Sequence, residues 1–394
     1  MRLSALPPVR RAVPLRRGDP AIRLSMERFF GNRRITLCAS GTAALSHAIA
    51  QCAAQRSVSA PEVIIPAYGC PDLVAACVHA SVYPRLVDIA PSHWSYELRE
   101  LKSALSPNTV AVIAVNLLGL GDGAAELIQF CTEKELPVIQ DSAQYLPRER
   151  IRWTGDYIVL SFGRGKPLNL LHGGALIGPP EQNGGLARGA PHTSWRDRLL
   201  DTRAAAIAFN ILTRPHAYRI LSALPGTGLG DAKYKPLTQS AMLPDRAWKQ
   251  VAIAFELYRK HASYRRELWT DAIEEWRNFG IIPLDCPNSP LPQEPLRIAL
   301  LAPDRGDRDS LVERLNRAGL GASRFYDNDL PAIASIPAEV KRQGPFPNAS
   351  ALAGRLFTLP THQLVTSEAV GTARNLVLEW HHSQRLRQLP QEQP

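Results

Sequence analysis

The chain has 394 residues, with 46 lysines and arginines against 36 aspartates and glutamates, which gives a formal net charge of +10. This length is enough to bury a sizeable core and predicts two domains. The charge suits an acidic small molecule, but the basic residues are scattered and no nucleic-acid-binding motif accompanies them, so nucleic acid is not a predicted partner.

The first half of the chain alternates between helices and strands. Residues 1–36 are rich in proline and arginine and are predicted to form an N-terminal arm with one short helix near residues 22–30. Short β-branched runs bounded by glycine and proline indicate strands. The predicted helices cover residues 40–55, 71–80, 97–104 and 122–135, and the predicted strands cover residues 62–66, 83–88, 110–118, 138–140, 157–162 and 174–177. This order predicts an α/β fold with a mostly parallel central sheet flanked by helices.

The second half of the chain predicts a smaller α+β domain. Helical patterns cover residues 194–222, 243–278, 307–318 and 366–387, and strand patterns cover residues 296–302 and 321–325. A glycine-rich segment that begins near residue 224 separates the two halves. We therefore predict an arm at residues 1–36, a large domain at 37–225 and a small domain at 226–394.

The sequence also predicts a cytoplasmic protein without a membrane partner. Its longest apolar run, residues 110–118, is far too short to span a bilayer, and residues 1–17 lack the apolar segment of a signal peptide. The six cysteines form no C-x-x-C pair, so neither a metal site nor a redox dithiol is predicted. Their mostly apolar surroundings are typical of reduced cytoplasmic thiols.

A lysine in a glycine-rich turn is the first candidate for chemistry. The turn Gly163-Arg164-Gly165-Lys166-Pro167 joins the last two strands predicted for the large domain. An amine held there could lie close to a cofactor carbonyl, where desolvation or a nearby positive charge would lower its pKa for Schiff-base formation. Because a single loop lysine is usually solvated, this interpretation depends on its surroundings.

The glycines after the strand at residues 110–118 offer a rival interpretation. Residues 119–124, GLGDGA, satisfy G-x-G-x-x-A, and Asp141 ends the next predicted strand. Locally this is a dinucleotide-binding fingerprint with an acid placed for a ribose hydroxyl. Such a fingerprint usually opens its sheet, however, and here at least three β-like runs precede the glycines. A plain turn between a strand and a helix is therefore favoured.

A Schiff-base cofactor with a phosphate explains more of these residues. It needs a lysine for its aldehyde, an acid for its ring nitrogen and an anion site for its phosphate. Lys166 and Asp141 supply the first two. Ser40-Gly41-Thr42 opens a helix, where free N–H groups and the helix dipole favour an anion, and Ser161 could add a hydroxyl. Each has another explanation when taken alone, such as Thr42 as a helix cap, but their combination favours the cofactor.

Three segments of the chain resemble the DegT/StrS-type sugar aminotransferases, fold type I enzymes that depend on pyridoxal 5′-phosphate (PLP). The family's S-G-T-x-A-L phosphate segment is similar to residues 40–45, its D-x-A-Q segment to residues 141–144 and its S-F-x-x-x-K segment to residues 161–166. The resemblance covers most of the chain and is looser in the small domain, at residues 319–330 and 357–362.

The resemblance implies roles for individual residues. Asp141 pairs with the ring nitrogen of PLP, Gln144 lies against the ring or its 3′-oxygen, and Lys166 holds the cofactor covalently. Lys166 then moves the proton between the amino-acid carbon and the cofactor as general base and acid. Because family dehydratases carry histidine in its place, the lysine indicates transamination.

The chain departs from the family's pattern at three points. Cys70 stands where many members carry an aromatic residue that stacks on the cofactor, so either Tyr68 or no aromatic residue covers the ring. Gly163-Arg164 replaces a common His-Pro, and His172 stands where an acid often precedes a glycine pair. The N-x-R-M segment with which the neighbouring subunit binds phosphate is not recognisable near residues 239–242.

The implied reaction moves an amino group from an amino acid, with glutamate as the donor, to a nucleotide-linked keto-sugar. Arg324, Tyr326 and His362 in the small domain are candidates for substrate contacts, and the family implies a homodimer with shared active sites. Three alternatives stay open: a PLP-dependent transaminase or lyase for a non-sugar natural-product intermediate, a non-enzymatic protein that kept the cofactor pocket, and the dinucleotide-binding oxidoreductase.

Overall fold

Two β-sheets organise the computed structural model, which describes residues 3, 20–121, 125–179, 209–211, 233–244, 247–261, 265–285, 289 and 291–388. The strands of the larger, seven-stranded sheet are β1 Ile35–Cys38, β2 Glu62–Pro66, β3 Tyr83–Val87, β4 Thr109–Val115, β5 Val138–Asp141, β6 Tyr157–Ser161 and β7 Gly174–Ile177. Their spatial order is β1-β7-β6-β5-β4-β2-β3. Strand β7 is antiparallel to both neighbours, whereas the pairs from β6 to β3 are parallel. The predicted mostly parallel sheet is confirmed.

Helices cover both faces of this sheet. The first five are α1 Pro20–Phe29, α2 Gly41–Arg56, α3 Asp72–His79, α4 Leu98–Ala104 and α5 Ala125–Glu133. Alternate residues of β2 face opposite sides, because Val63 packs in the core with α2 and α3 while Ile64 packs with α4 and α5. Strands that are buried on both faces are apolar at nearly every position, which is why they stand out in the sequence as short continuous runs.

One end of the larger sheet is covered by residues from distant parts of the chain. Helix α6, Ala247–His261, packs against α1, and side chains of both helices share a buried cluster with Leu160 and Ile177. In that cluster Phe29 lies edge-on to Phe255, with ring centroids 5.0 Å apart. The division into an arm and two domains stays a prediction, but this core joins residues of the predicted arm and small domain to the larger sheet.

The smaller sheet lies in the second half of the chain. Its strands are β8 Ile282–Pro283, β9 Arg297–Leu301 and β10 Leu356–Pro360, in the order β10-β9-β8 with antiparallel pairing. The remaining helices are α7 Thr270–Arg277, α8 Arg305–Arg317, α9 Ala338–Lys341, α10 Pro347–Arg355 and α11 Ser367–Gln388. Trp269, Trp276 and Trp380 are buried in the core beside this sheet.

Several predicted boundaries are wrong for local backbone reasons. The strand at 110–118 ends at Val115, opposite Asp141 at the end of β5, and it cannot extend through Leu118 and Gly119, which have φ of +54° and +84°. Residues 321–325 form no strand: only Ser323 bridges to β10, and Phe325 has φ of +61°, which ends extended pairing. The helical stretch at 243–278 is two α-helices, α6 and α7, with a 3₁₀ turn before α7. The predicted helix at 194–222 lies outside the described residues, apart from helical residues 209–211.

Within the described ranges, every helix is too short or too polar to cross a membrane. The same residues contain no group of three or more His, Cys, Asp or Glu side chains that could hold a metal ion.

Candidate active site

The predicted site residues meet in a cleft at the carboxyl edge of the larger sheet. Strands β1, β2, β4, β5 and β6 all end at this edge, which is where open α/β sheets bind ligands. The cleft holds about 540 Å³ of empty space, part of it open to solvent. Its lining residues are Gly41, Thr42, Leu45, Cys70, Asp72, Leu73, Val115, Asn116, Leu117, Asp141, Ala143, Gln144, Ser161, Lys166 and Tyr326.

The N-terminus of α2 forms one wall of the cleft. Ser40 caps this helix, since its Oγ accepts a hydrogen bond from Ala43 N at 3.0 Å. Thr42 is therefore not the cap that its sequence position suggested; its Oγ1 instead donates to Asp72 Oδ2 at 3.0 Å. The cap uses the N–H of Ala43, and the dipole of this 16-residue helix favours an anion at its N-terminus.

Glycine is needed where α2 approaches the sheet. A Cβ on Gly41 would lie 2.7 Å from Ser161 Cβ, and a Cβ on Gly174 would lie 2.6 Å from Gly41 N. The close approach brings the α2 N-terminus against the end of β6, so that Gly41, Thr42 and Ser161 line the same part of the cleft. The Ser161 Oγ also accepts a 3.4 Å hydrogen bond from Gly163 N.

Asp141 is the last residue of β5 and lies at the base of the cleft. Its carboxylate is buried, and Oδ1 accepts a hydrogen bond from Ala143 N at 3.0 Å. Burial raises the pKa of Asp141, while the Ala143 hydrogen bond and the Lys166 charge lower it. A buried carboxyl in this state would gain from a cationic partner in the cleft.

Lys166 lies half-buried in the connection from β6 to β7. The connection turns tightly, with Lys166 N donating to Gly163 O at 3.3 Å and Gly165 at φ of +73°. A positive φ is easily adopted by glycine, which explains the residue before the lysine. Lys166 and Asp141 both line the cleft, and the lysine charge lowers the pKa of both Asp141 and Cys70.

Gln144 connects the larger sheet to the second half of the chain. Its Oε1 accepts a hydrogen bond from Leu118 N at 2.9 Å, and its Nε2 donates to the Tyr326 hydroxyl at 2.9 Å. Tyr326 is buried and lines the cleft, so the loop after α8 contributes to the site. Both predicted residues are thus brought together, with the Gln144 amide already engaged by protein groups.

Tyr68 and Cys70 occupy different places. Cys70 lines the cleft, where burial raises the pKa of its thiol to about 12. Tyr68 is fully buried behind the wall, and its hydroxyl donates to Tyr326 O at 3.2 Å. Tyr68 therefore supports Tyr326 and is not among the lining residues.

Two of the predicted substrate residues do not reach the cleft. The Arg324 side chain is 43% exposed, and its Nε donates to Asp309 Oδ1 at 2.6 Å. His362 is buried beside the smaller sheet, and its Nδ1 accepts a hydrogen bond from Leu364 N at 3.3 Å. Neither residue lines the cleft formed by the described residues.

Two polar lining residues were not predicted from the sequence. Asn116 directly follows β4 and donates from Nδ2 to Ser142 Oγ at 2.9 Å. The sequence feature that could have identified Asn116 is a polar residue directly after a buried strand. Asp72 begins α3, where acids are common for helix stability alone, so its position in the sequence gave no sign of a functional site.

The glycine turn at residues 119–121 is a structural contact. A Cβ on Gly119 would lie 2.1 Å from Glu294 O, and Glu294 N donates to Gly119 O at 3.0 Å. Leu296 N likewise donates to Leu118 O at 2.8 Å. The backbone here packs against another segment of the chain, where a nucleotide phosphate would have to lie, so the dinucleotide-binding interpretation is wrong.

The donors of the cleft fit PLP. The α2 N-terminus can hold a phosphate, the Lys166 amine can react with an aldehyde, and a cationic ring nitrogen would offset the cost of burying Asp141. The fold and the cleft together define an α/β enzyme of the PLP-transferase type.

The chain belongs to the DegT/DnrJ/EryC1/StrS aminotransferase family, whose sequence profile matches residues 23–184 and 255–376. The predicted family and the predicted class of enzyme are thereby confirmed. Among solved structures, a provisionally named sugar aminotransferase from Streptococcus pneumoniae superposes with a TM-score of 0.69 at 17% identity, over 97% of this chain and 99% of that chain. It is known in PLP and PMP forms, where PMP is pyridoxamine phosphate, which supports the predicted cofactor.

Curated relatives match over shorter stretches. Protein MosB of Rhizobium meliloti is 30% identical over 32% of this chain and 24% of its own length. A protein of Streptoalloteichus tenebrarius, provisionally named an L-glutamine:3-amino-2,3-dideoxy-scyllo-inosose aminotransferase, is 29% identical over 38% of this chain and 36% of its own length. The matched stretch thus spans about a quarter of the first relative and just over a third of the second.

Proposed function

We propose that the chain is a PLP-dependent aminotransferase that moves an amino group from an amino acid to a keto-sugar. The observation that carries this proposal is the convergence of the α2 N-terminus, Asp141 and Lys166 on one cleft. These groups come from three separate segments and match the three requirements of the cofactor. Membership of an aminotransferase family supports the same reaction.

Bound PLP supplies an electron sink for the bond that breaks at Cα of the amino acid. In the proposed mechanism, the α2 N–H groups bind the phosphate and Asp141 keeps the ring nitrogen protonated. Lys166 Nζ accepts the proton from Cα of the donor and later delivers one to the former carbonyl carbon of the acceptor. Leu45, Leu73 and Leu117 on the cleft wall limit the access of water to these steps.

We propose glutamate as the donor and a nucleotide-linked keto-sugar as the acceptor. The net charge of +10 is compatible with a diphosphate-bearing substrate. Glutamine is the rival donor, because a curated relative is provisionally named for L-glutamine. A non-sugar ketone is the rival acceptor, because Cys70 lines the cleft where many family members carry an aromatic residue.

We further propose that the active unit is a cytoplasmic homodimer with shared active sites. Light scattering of the purified protein tests the dimer: a mass of twice the chain supports it, and the mass of one chain contradicts it.

The cofactor is tested by the visible absorption spectrum before and after borohydride. We expect a Schiff-base band that borohydride removes, with the reduced adduct mapped to Lys166 by peptide mass spectrometry. Lys166→Ala should lose both the adduct and the turnover, with activity at least about a hundredfold lower. Lys134→Ala, which removes an exposed lysine of the same domain, is the matched control and should retain both. Normal activity in Lys166→Ala would contradict the proposal.

The substrates are tested by half-reactions. Glutamate and glutamine are added separately to the PLP-loaded protein, and conversion of the band to the PMP spectrum identifies the donor. The PMP form is then offered nucleotide-linked keto-sugars, a keto-inositol and non-sugar ketones. If only a non-sugar ketone restores the PLP spectrum, the acceptor is a non-sugar ketone and not a keto-sugar. If neither donor converts the PLP band, the result contradicts transamination.

A further inference from the structure

The cleft wall that would face a phosphate already contains an anion. Asp72 and Thr42 both line the cleft, and the Asp72 carboxylate accepts a 3.0 Å hydrogen bond from the Thr42 hydroxyl at the second residue of α2. Within the described part of the chain, no lysine, arginine or histidine forms an ion pair with Asp72.

The charge of Asp72 acts across the cleft. Burial is the main cause of the raised pKa of Asp141, Cys70 and Tyr326, and the Asp72 charge raises the pKa of each of them further. A phosphate at the α2 N-terminus would be a second anion within the same small space.

The Thr42 hydroxyl adds a second conflict. A threonine hydroxyl has one proton to donate, and the structure uses it for Asp72. If Thr42 donates to a phosphate oxygen, the hydrogen bond to Asp72 must break. Asp72 therefore opposes a phosphate both by its charge and by competing for this donor.

We propose that Asp72 weakens the binding of the phosphate-bearing cofactor at this site. The natural protein should therefore bind PLP less tightly than a variant that lacks the Asp72 carboxylate. This inference rests on the proposed function, because it takes the α2 N-terminus as the phosphate site. The consequence is a cofactor that exchanges with solution more readily, in the PLP and the PMP form alike.

The test measures equilibrium binding and does not depend on turnover. PLP and pyridoxal, which lacks the phosphate, are titrated into the cofactor-free protein and followed by the Schiff-base absorption. Asp72→Asn removes the charge but keeps the shape, and should tighten PLP about 10-fold or more while changing pyridoxal little. Glu126→Gln removes an exposed acid from the first turn of α5 and is the matched control, expected to change neither affinity.

A double-mutant cycle tests the competition for the hydroxyl. Thr42→Val in the natural background should change PLP affinity by less than about 2-fold, because its proton is already given to Asp72. In the Asp72→Ala background the freed hydroxyl serves the phosphate, so the same change should weaken PLP by about 5-fold or more. Additive effects of the two substitutions would contradict this part.

The outcomes separate the two levels of the proposal. An adduct on Lys166 with unchanged PLP affinity in both Asp72 variants overturns the role of Asp72 and leaves the proposed function standing. Equal tightening of PLP and pyridoxal also overturns it, because the phosphate would not be the group that Asp72 opposes. No PLP adduct in any of the proteins overturns the proposed function and this inference together.

Discussion

The approach of α2 to β6 leads to a quantitative prediction for Gly41. A Cβ at this position would lie 2.7 Å from Ser161 Cβ, 3.0 Å from its Oγ and 3.3 Å from its Cα. Overpacking of this kind costs about 1–3 kcal/mol, and the helical preference of alanine over glycine returns at most about 1 kcal/mol. Gly41→Ala should therefore lower the free energy of unfolding by about 1–2 kcal/mol, and PLP affinity should fall because the N–H groups move.

Urea unfolding with three comparison proteins checks the reasoning. Gly371→Ala in α11 has nothing within 4 Å of the new Cβ and should gain stability. The double variant Gly41→Ala/Ser161→Gly removes the two closest atoms, so it should show a favourable coupling of at least about 1 kcal/mol. For Gly174→Ala the three nearest atoms to the new Cβ, at 2.6–2.7 Å, all belong to the backbone, so no side-chain change should rescue it. If Gly41→Ala is as stable as the natural protein, or adds independently to Ser161→Gly, the close approach is not the reason for the glycine.

Three further predictions concern stability, each measured by urea unfolding. Arg308→Met should cost about 1–3 kcal/mol, because it leaves the buried carbonyl of Ala353 without its donor, Arg308 Nη1. Arg324→Ala, whose side chain is 43% exposed, should cost less than about 1 kcal/mol, and equal losses would contradict this ranking. Burial raises the pKa of Cys38 and Cys52 to about 12, whereas a thiol in the unfolded chain has a pKa of about 8.5. The unfolded chain therefore loses these protons first, and the free energy of unfolding should fall as pH rises from about 8.5 towards 12. The double variant Cys38→Ala/Cys52→Ala should show a weaker dependence on pH. An unchanged slope of unfolding free energy against pH would contradict this prediction. Ser40→Ala removes the cap of α2 and should lower the free energy of unfolding by about 1 kcal/mol. Unchanged stability would show that the cap does not stabilise the helix.

The parts of the site that lie on short stretches of sequence could be predicted. The acid of Asp141 ends a buried strand, and Lys166 follows a glycine that permits a positive φ, so each signal is written within a few residues. The α2 N-terminus was found in the same way, although the capping residue is Ser40 and not Thr42. Local order and turn chemistry determine such features, and they survive in a single sequence.

Contacts between distant residues could not be predicted in this way. The Gln144–Tyr326 hydrogen bond joins residues 182 positions apart, and no local pattern links them. The glycines at 119 and 121 match the dinucleotide-binding fingerprint because glycine is required wherever another group approaches the backbone closely. That group can be a nucleotide phosphate or another segment of the chain. Only the contact of Gly119 with Glu294 shows which demand applies here.

The loop that carries Tyr326 shows how the second half of the chain determines the geometry of the cleft. Arg308 is fully buried, and an apolar residue of similar size would avoid the cost of desolvating its charge. Its Nη2 contacts Asp327 at 2.7 Å and its Nη1 donates to Ala353 O at 2.6 Å, so it ties the residue after Tyr326 to helix α10. Because the Tyr326 hydroxyl accepts from Gln144, a loop displaced by loss of Arg308 would release the Gln144 amide into the cleft. We infer that this buried charge is kept for the position of Tyr326, so Arg308→Met should change the absorption of bound PLP in addition to lowering stability. A spectrum identical to that of the natural protein would assign Arg308 to stability alone.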